Sequence, residues 1–134
     1  MTQSLLYTAN VSNSTGIVSG SMLPLGSIIR KAGCIDLSGE SVLASGKGYY
    51  LVVGNFTLTP SVSDAVTVQA YIDGVAVPGA RGSFSGAGQH TCPISFIFKN
   101  SCPFAGSTID FRVTTGIDTT TVTQSNAAVV VRKL

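Results

Sequence analysis

The last eight residues of the sequence, Ala127-Ala128-Val129-Val130-Val131-Arg132-Lys133-Leu134, and the stretch Tyr49-Tyr50-Leu51-Val52-Val53 are apolar at nearly every consecutive position. Successive side chains of a β-strand point to opposite faces, so a strand in a two-sheet protein ordinarily buries one face and wets the other. A strand that is apolar on both faces needs cover on both. In a chain of 134 residues that otherwise reads as antiparallel, and is too short for a third layer, the second cover is another copy of itself. The reading is a β-sandwich that assembles.

The remaining composition agrees with one such domain, large enough to bury roughly two-thirds of its unfolded surface. Charged residues make up only 10% of the chain, against roughly 25% in an average domain, and Gly, Ser, Thr, Val and Ala take their place. The net charge of +2 and the scattered positions of Arg30, Lys31, Lys47, Arg81, Lys99, Arg112, Arg132 and Lys133 offer no basic stripe, so no nucleic-acid partner is expected. No apolar run is long enough to cross a bilayer, and no membrane partner is expected. Met1-Thr2-Gln3-Ser4-Leu5-Leu6-Tyr7 lacks a basic leader, so the chain is expected to fold in a cytoplasm, where the sequons at Asn10, Asn13 and Asn55 carry no sugar. Cys34, Cys92 and Cys102 are an odd set. Cys92 and Cys102 could meet at neighbouring strand ends, but buried thiols acting as small apolar side chains are the better reading.

Period-two spacing, with Gly, Ser, Asn, Asp and Pro recurring at short intervals, predicts about eight to ten short strands. That number is typical of an all-β, antiparallel, two-sheet jelly-roll sandwich, and an immunoglobulin-like sandwich is weakened by the absence of Trp. Residues 1–24 read as an N-terminal extended arm or first strand, and residues 25–134 as the jelly-roll domain. Residues 35–40 read as a turn. Tyr49 to Thr59 is a long strand, and Ala65 to Ile72 leads through Asp73-Gly74, a two-residue hairpin turn, into a return strand ended by Pro78-Gly79. Residues 82–90 read mainly as loop. Strands at residues 91–99 and 108–114 precede the last one, with Asp110 and Arg112 directed outward.

Residues for chemistry are scarce. The single histidine, His90, lies in a Gly-rich segment beside Ser85 and Cys92, but no strained elbow with a helix behind it is present, and an exposed loop position is expected. Asp64, Asp73, Asp110 and Asp118 fall near strand ends without calcium-loop spacing, and Glu40 is the only Glu. No catalytic residue, cofactor or metal is expected. The positive signal is the apolar reverse of the strands. With Tyr50, Val52, Phe56, Leu58, Ala127, Val129 and Val131 inward, the opposite face carries Tyr49, Leu51, Val53, Ser95, Ile97, Ala128, Val130 and Leu134, with Arg132 among them. These eight residues are the expected oligomer interface. The alternative is cover by loops or the N-terminal segment of the same chain. The residues alone leave three-fold and two-fold assembly open.

The strand order resembles the jelly roll of the tumour necrosis factor and complement globular-head superfold, over about Gly26 to Leu134. That resemblance implies one sheet packing its outer face around a three-fold axis. A second likeness is carried by Ile28-Ile29-Arg30-Lys31-Ala32-Gly33-Cys34, Gly48-Tyr49-Tyr50, Asn55-Phe56-Thr57-Leu58-Thr59-Pro60, Asp73-Gly74-Val75-Ala76-Val77-Pro78-Gly79-Ala80 and Asn126-Ala127-Ala128-Val129-Val130-Val131. These segments are similar to small proteins encoded among the structural genes of tailed phages of Gram-positive, often gut, bacteria. Leu51 and Val53 depart from that pattern by being apolar. The likeness implies a homotrimeric virion component, a capsid decoration protein or head of a short fibre, partnered with the major capsid protein or another virion protein. Residues 2–21 would then be an anchoring arm. The rival reading is a receptor- or carbohydrate-binding head recognising a host-surface glycan, with Tyr7, Tyr71, Phe84 and Phe104 as stacking aromatics. A small esterase using His90 is the third.

Overall fold

The computed structural model describes residues 4–101 and 105–134, and Cys102 and Phe104 lie outside them. Eleven strands form two antiparallel sheets facing each other. The first sheet has the order β3 (Ser27–Ala32), β1 (Leu5–Asn10), β11 (Thr121–Lys133), β6 (Gly48–Pro60), β9 (His90–Asn100), with β2 (Ser14–Val18) also paired to β11. The second has the order β4 (Ile35–Ser38), β5 (Ser41–Ala44), β10 (Ser107–Thr115), β7 (Asp64–Ile72), β8 (Val75–Gly86). The two strands that are apolar on both faces, β6 and β11, are neighbours in the middle of the first sheet, registered from Val122 opposite Pro60 to Lys133 opposite Tyr50.

The core follows from the period-two pattern. Tyr50, Val52, Phe56 and Leu58 of β6 and Ala127, Val129 and Val131 of β11 meet Val66, Val68, Ala70, Ile109, Phe111 and Val113 of the second sheet. Gly54 is required here for space. A Cβ would stand 3.0 Å from the Phe56 ring and 3.5 Å from that of Phe111, the pair whose centroids lie 4.8 Å apart at the centre of the sandwich. Tyr50 is buried, with its hydroxyl directed to the carbonyls of Ser45 and Gly46, each at 2.7 Å. Burial, with Cys34 nearby, pushes the phenol up to about 12, so the group remains a donor at neutral pH. Cys92 is a buried, free thiol in this core, and Cys34 is exposed and free.

Four expectations give way. First, among the residues expected to form an anchoring arm, those from Ser4 onward belong to the sandwich. β1 lies between β3 and β11, β2 pairs with β11, and residues 20–23 run along β10, with Gly20 N–H donating to Val113 O at 2.7 Å and Leu23 N–H to Phe111 O at 2.7 Å. Leu6, Leu23 and Leu25 are buried, but too widely spaced to register as a periodic pattern. The chain exposes 6612 Å², close to the roughly 6,600 Å² of a compact chain of its mass, as expected when the described residues from Ser4 onward are packed into the sandwich. Second, residues 35–38 form β4 and only Gly39 and Glu40 turn.

Third, β8 does not stop at Pro78-Gly79 but continues to Gly86, through residues expected to be loop. The register with β7 slips between Gln69 and Tyr71, and the extra residues are accommodated as a bulge in which Gly79 takes φ +78°. Gln69 Nε2 lies 2.7 Å from Val77 O, 3.1 Å from Ala80 O and 3.0 Å from Ala70 O, so its two N–H groups are shared among three carbonyls at the bulge. Fourth, Asp110 is on the outer face as expected but is only 3% exposed. Its Oδ1 accepts from Arg112 Nε at 2.9 Å, while the Arg112 guanidinium lies 4.2 Å above the Tyr71 ring. Asp73-Gly74 forms the expected hairpin turn, with φ of 51° and 81°.

Replacing Gln69 with Leu keeps the volume and strands the bulge carbonyls. The expected loss is about 2 kcal/mol of unfolding free energy, read from urea melts against the parent chain.

Candidate functional site

The reverse of the β6–β11 pair is a continuous outer surface of the first sheet. Because residues opposite one another in an antiparallel ladder share a face, the registers fix its ranks. Leu5, Arg132, Leu51 and Ile97 form one rank across β1, β11, β6 and β9. Tyr7, Val130, Val53 and Ser95 form the next, and Ala9, Ala128, Asn55 and Pro93 a third. At the other end, Leu134 N–H donates to Tyr49 O at 2.9 Å and extends the face past the end of β11. Tyr49, Leu51, Val53, Ser95, Ile97, Ala128, Val130 and Leu134 thus all stand on one face of one sheet.

Among the described residues, part of this face is open to solvent, with Leu51, Ala128 and Val130 half-buried. Tyr49 is 54% exposed, Ile97 58%, Leu134 56% and Val53 36%, whereas the inward residues of the same strands are buried. Two further apolar members, Leu5 and Tyr7, come from β1. Leu5-Leu6-Tyr7 is apolar on both faces just as β6 and β11 are, but the run is too short for the pattern to stand out in the sequence.

The face is also electrostatically one-sided. Arg132 stands among Leu5, Leu51 and Val130, while Arg30 lies opposite Tyr7 near the edge and Lys99 Nζ lies 5.6 Å from the Tyr49 ring centroid. The six acidic side chains lie elsewhere: Asp36 in β4, Glu40 in the turn after it, Asp64 at the start of β7, Asp73 in the hairpin, Asp110 in β10 and Asp118 in the turn before β11.

The other candidate groups serve local structure. His90 is not an exposed loop residue but opens β9, half-buried, with its ring stacked on Phe84 at 4.4 Å between centroids. Cys92, the nearest thiol in sequence, is buried, and burial pushes its pKa up, so it is held as an apolar thiol rather than a nucleophile. Among the described residues no three His, Cys, Asp or Glu side chains come together as a metal site. Asp64 accepts from Ile117 N–H at 2.9 Å and Ala65 N–H at 2.7 Å, and Asp73 accepts from Thr108 N–H at 2.9 Å. Of the proposed stacking aromatics, Arg112 covers Tyr71, His90 covers Phe84, Tyr7 belongs to the apolar face and Phe104 lies outside the described residues.

No family model and no curated protein matches the chain in sequence. Among solved structures, murine APRIL at pH 5.0 is similar with a TM-score of 0.71 at 16% identity, covering 98% of this chain and 99% of that one. Eiger TNF from S. frugiperda is similar with a TM-score of 0.75 at 11% identity, covering 100% and 94%. Murine APRIL at pH 8.5 gives a TM-score of 0.60 at 15% identity, covering 98% and 99%. At these identities the likeness is one of fold, and the fold is the two-sheet jelly roll of tumour necrosis factor type.

The amides around Asp64, that of Ile117 first, hold its carboxyl below the usual 3.8. A carboxyl with a depressed folded pKa contributes stability that is fully present above the unfolded value and is lost as pH falls through the folded one. Asp64→Asn is therefore expected to flatten the acid side of the stability curve below about pH 4. Melting temperatures of both chains between about pH 6 and about pH 2 check this.

Proposed function

We propose that this protein is a structural, non-enzymatic homotrimer whose three copies bury the outer face of β1, β11, β6 and β9 around a common axis. The observation that carries the proposal is the continuity of that face: four adjacent strands present apolar side chains on the side away from the core, with Tyr49, Val53, Ile97 and Leu134 exposed among the described residues. Four strands and four ranks span about 500 Å² in projection, within the range of patches that mark interaction sites on otherwise soluble proteins. Left wet, such a patch invites non-specific association; covered by copies of itself, it closes under rotational symmetry.

The finer reading is a virion component of a tailed phage, a capsid decoration protein or head-fibre part made in the host cytoplasm and carried on the particle, where it contacts the major capsid protein or another virion protein. Its support is the segment resemblance at residues 28–34, 48–50, 55–60, 73–80 and 126–131. No cofactor and no catalytic residue enters this function. A glycan-binding head gains no support, since the rings of Tyr71 and Phe84 are already covered.

The purified chain is expected to sediment at three times 13.7 kDa. Val130→Lys sets a second unpaired cation beside Arg132 in the middle of each contact and is expected to yield monomers or unfolded chain. Thr114→Asp, on the exposed face of the second sheet, is the control and leaves the trimer intact. A parent chain that sediments as a stable monomer would refute the assembly, and its absence from purified particles by mass spectrometry would refute the virion role alone.

A further inference from the structure

Arg132 is the one charge in the interior of the apolar face. It is flanked by Leu5 and Leu51 across the ladder and by Val130 along the strand. Among the described residues no ion pair or hydrogen bond holds its guanidinium. Arg112 shows the contrast, because its guanidinium is already committed to Asp110 and Tyr71. In a monomer an exposed Arg132 is simply hydrated. In the assembly its water is stripped, and a buried guanidinium without a negative partner costs several kcal/mol. No side chain of the face supplies that partner, for its other charged side chains are Arg30 and Lys99, both cationic, and every acidic side chain is elsewhere.

We propose, on the trimer reading, that the assembled face is an oxyanion site: the Arg132 guanidinium groups of neighbouring copies converge on a tetrahedral oxyanion of the phosphate or sulfate kind. The planar fork of a guanidinium matches two oxygens of such an anion, and the surrounding Leu and Val side chains exclude the water that would otherwise screen it. Bound anion turns a like-charge repulsion between copies into a shared contact, so anion binding and assembly are coupled.

The test measures the melting temperature and the sedimentation of the full chain in inorganic phosphate from zero to about 10 mM, with NaCl holding ionic strength constant. The parent trimer is expected to show a saturable upward shift in melting temperature with phosphate. Arg132→Leu remains trimeric without phosphate and shows no shift, and Arg132→Lys, keeping the charge but not the fork, shows a smaller one. A parent trimer with no saturable shift overturns the oxyanion site while leaving the trimer standing. An equal shift in Arg132→Leu overturns it as well, by placing the anion elsewhere. A parent chain monomeric at all phosphate concentrations overturns both.

Discussion

Everything in this molecule is arranged around hydrocarbon on both faces of two neighbouring central strands. The inward side chains of β6 and β11 are hidden by the second sheet, with Phe56 and Phe111 packed over Gly54. Their reverse sides remain uncovered, although they sit in the middle of the sheet and not at an edge. An apolar face of this kind in the middle of a sheet is where a partner surface would gain most from burial.

The second sheet shows what a face meant for water looks like. Outward from β10 and β7 stand Thr108, Asp110, Arg112, Thr114, Thr67, Gln69 and Tyr71. The polar groups there are tied to one another: Arg112 joins Asp110 and Tyr71, and Gln69 closes the bulge in β8. Such a surface is internally satisfied and asks for no partner. The two sheets share a core, yet the outer face of the second is mostly polar, with Leu43 an exposed exception, whereas that of the first is mostly apolar, which gives the sandwich a direction. That asymmetry is what the proposed assembly rests on.

Isolated charge acquires meaning only against this background. A hydrated arginine on a polar face is unremarkable, whereas Arg132, ringed by leucine and valine, becomes costly once its face is covered. The same residue type in β10 is neutralised within the chain. The difference is one of position in the ladder, not of chemistry.

The amino-acid sequence by itself determined the all-β class, the sandwich, the inward set of residues and the doubly apolar strands, because period-two alternation is a local property that each strand carries unaided. The alternating sets Val66, Val68, Ala70 and Ile109, Phe111, Val113 could be placed on one face before any partner strand was known. What only the tertiary structure decided depends on contacts far apart in the chain. Residues 14–23 look like a polar arm, yet they pair with β11 and β10, about a hundred positions away. Pro78-Gly79 looks like a strand end, but Gln69 supplies the hydrogen bonds that let β8 run through it. Asp110 looks solvated until Arg112 and Tyr71 enclose it. The alignment of Leu5, Tyr7, Leu51, Val53, Ile97 and Val130 into one surface likewise rests on strand order and register, which long-range pairing sets and local pattern does not record.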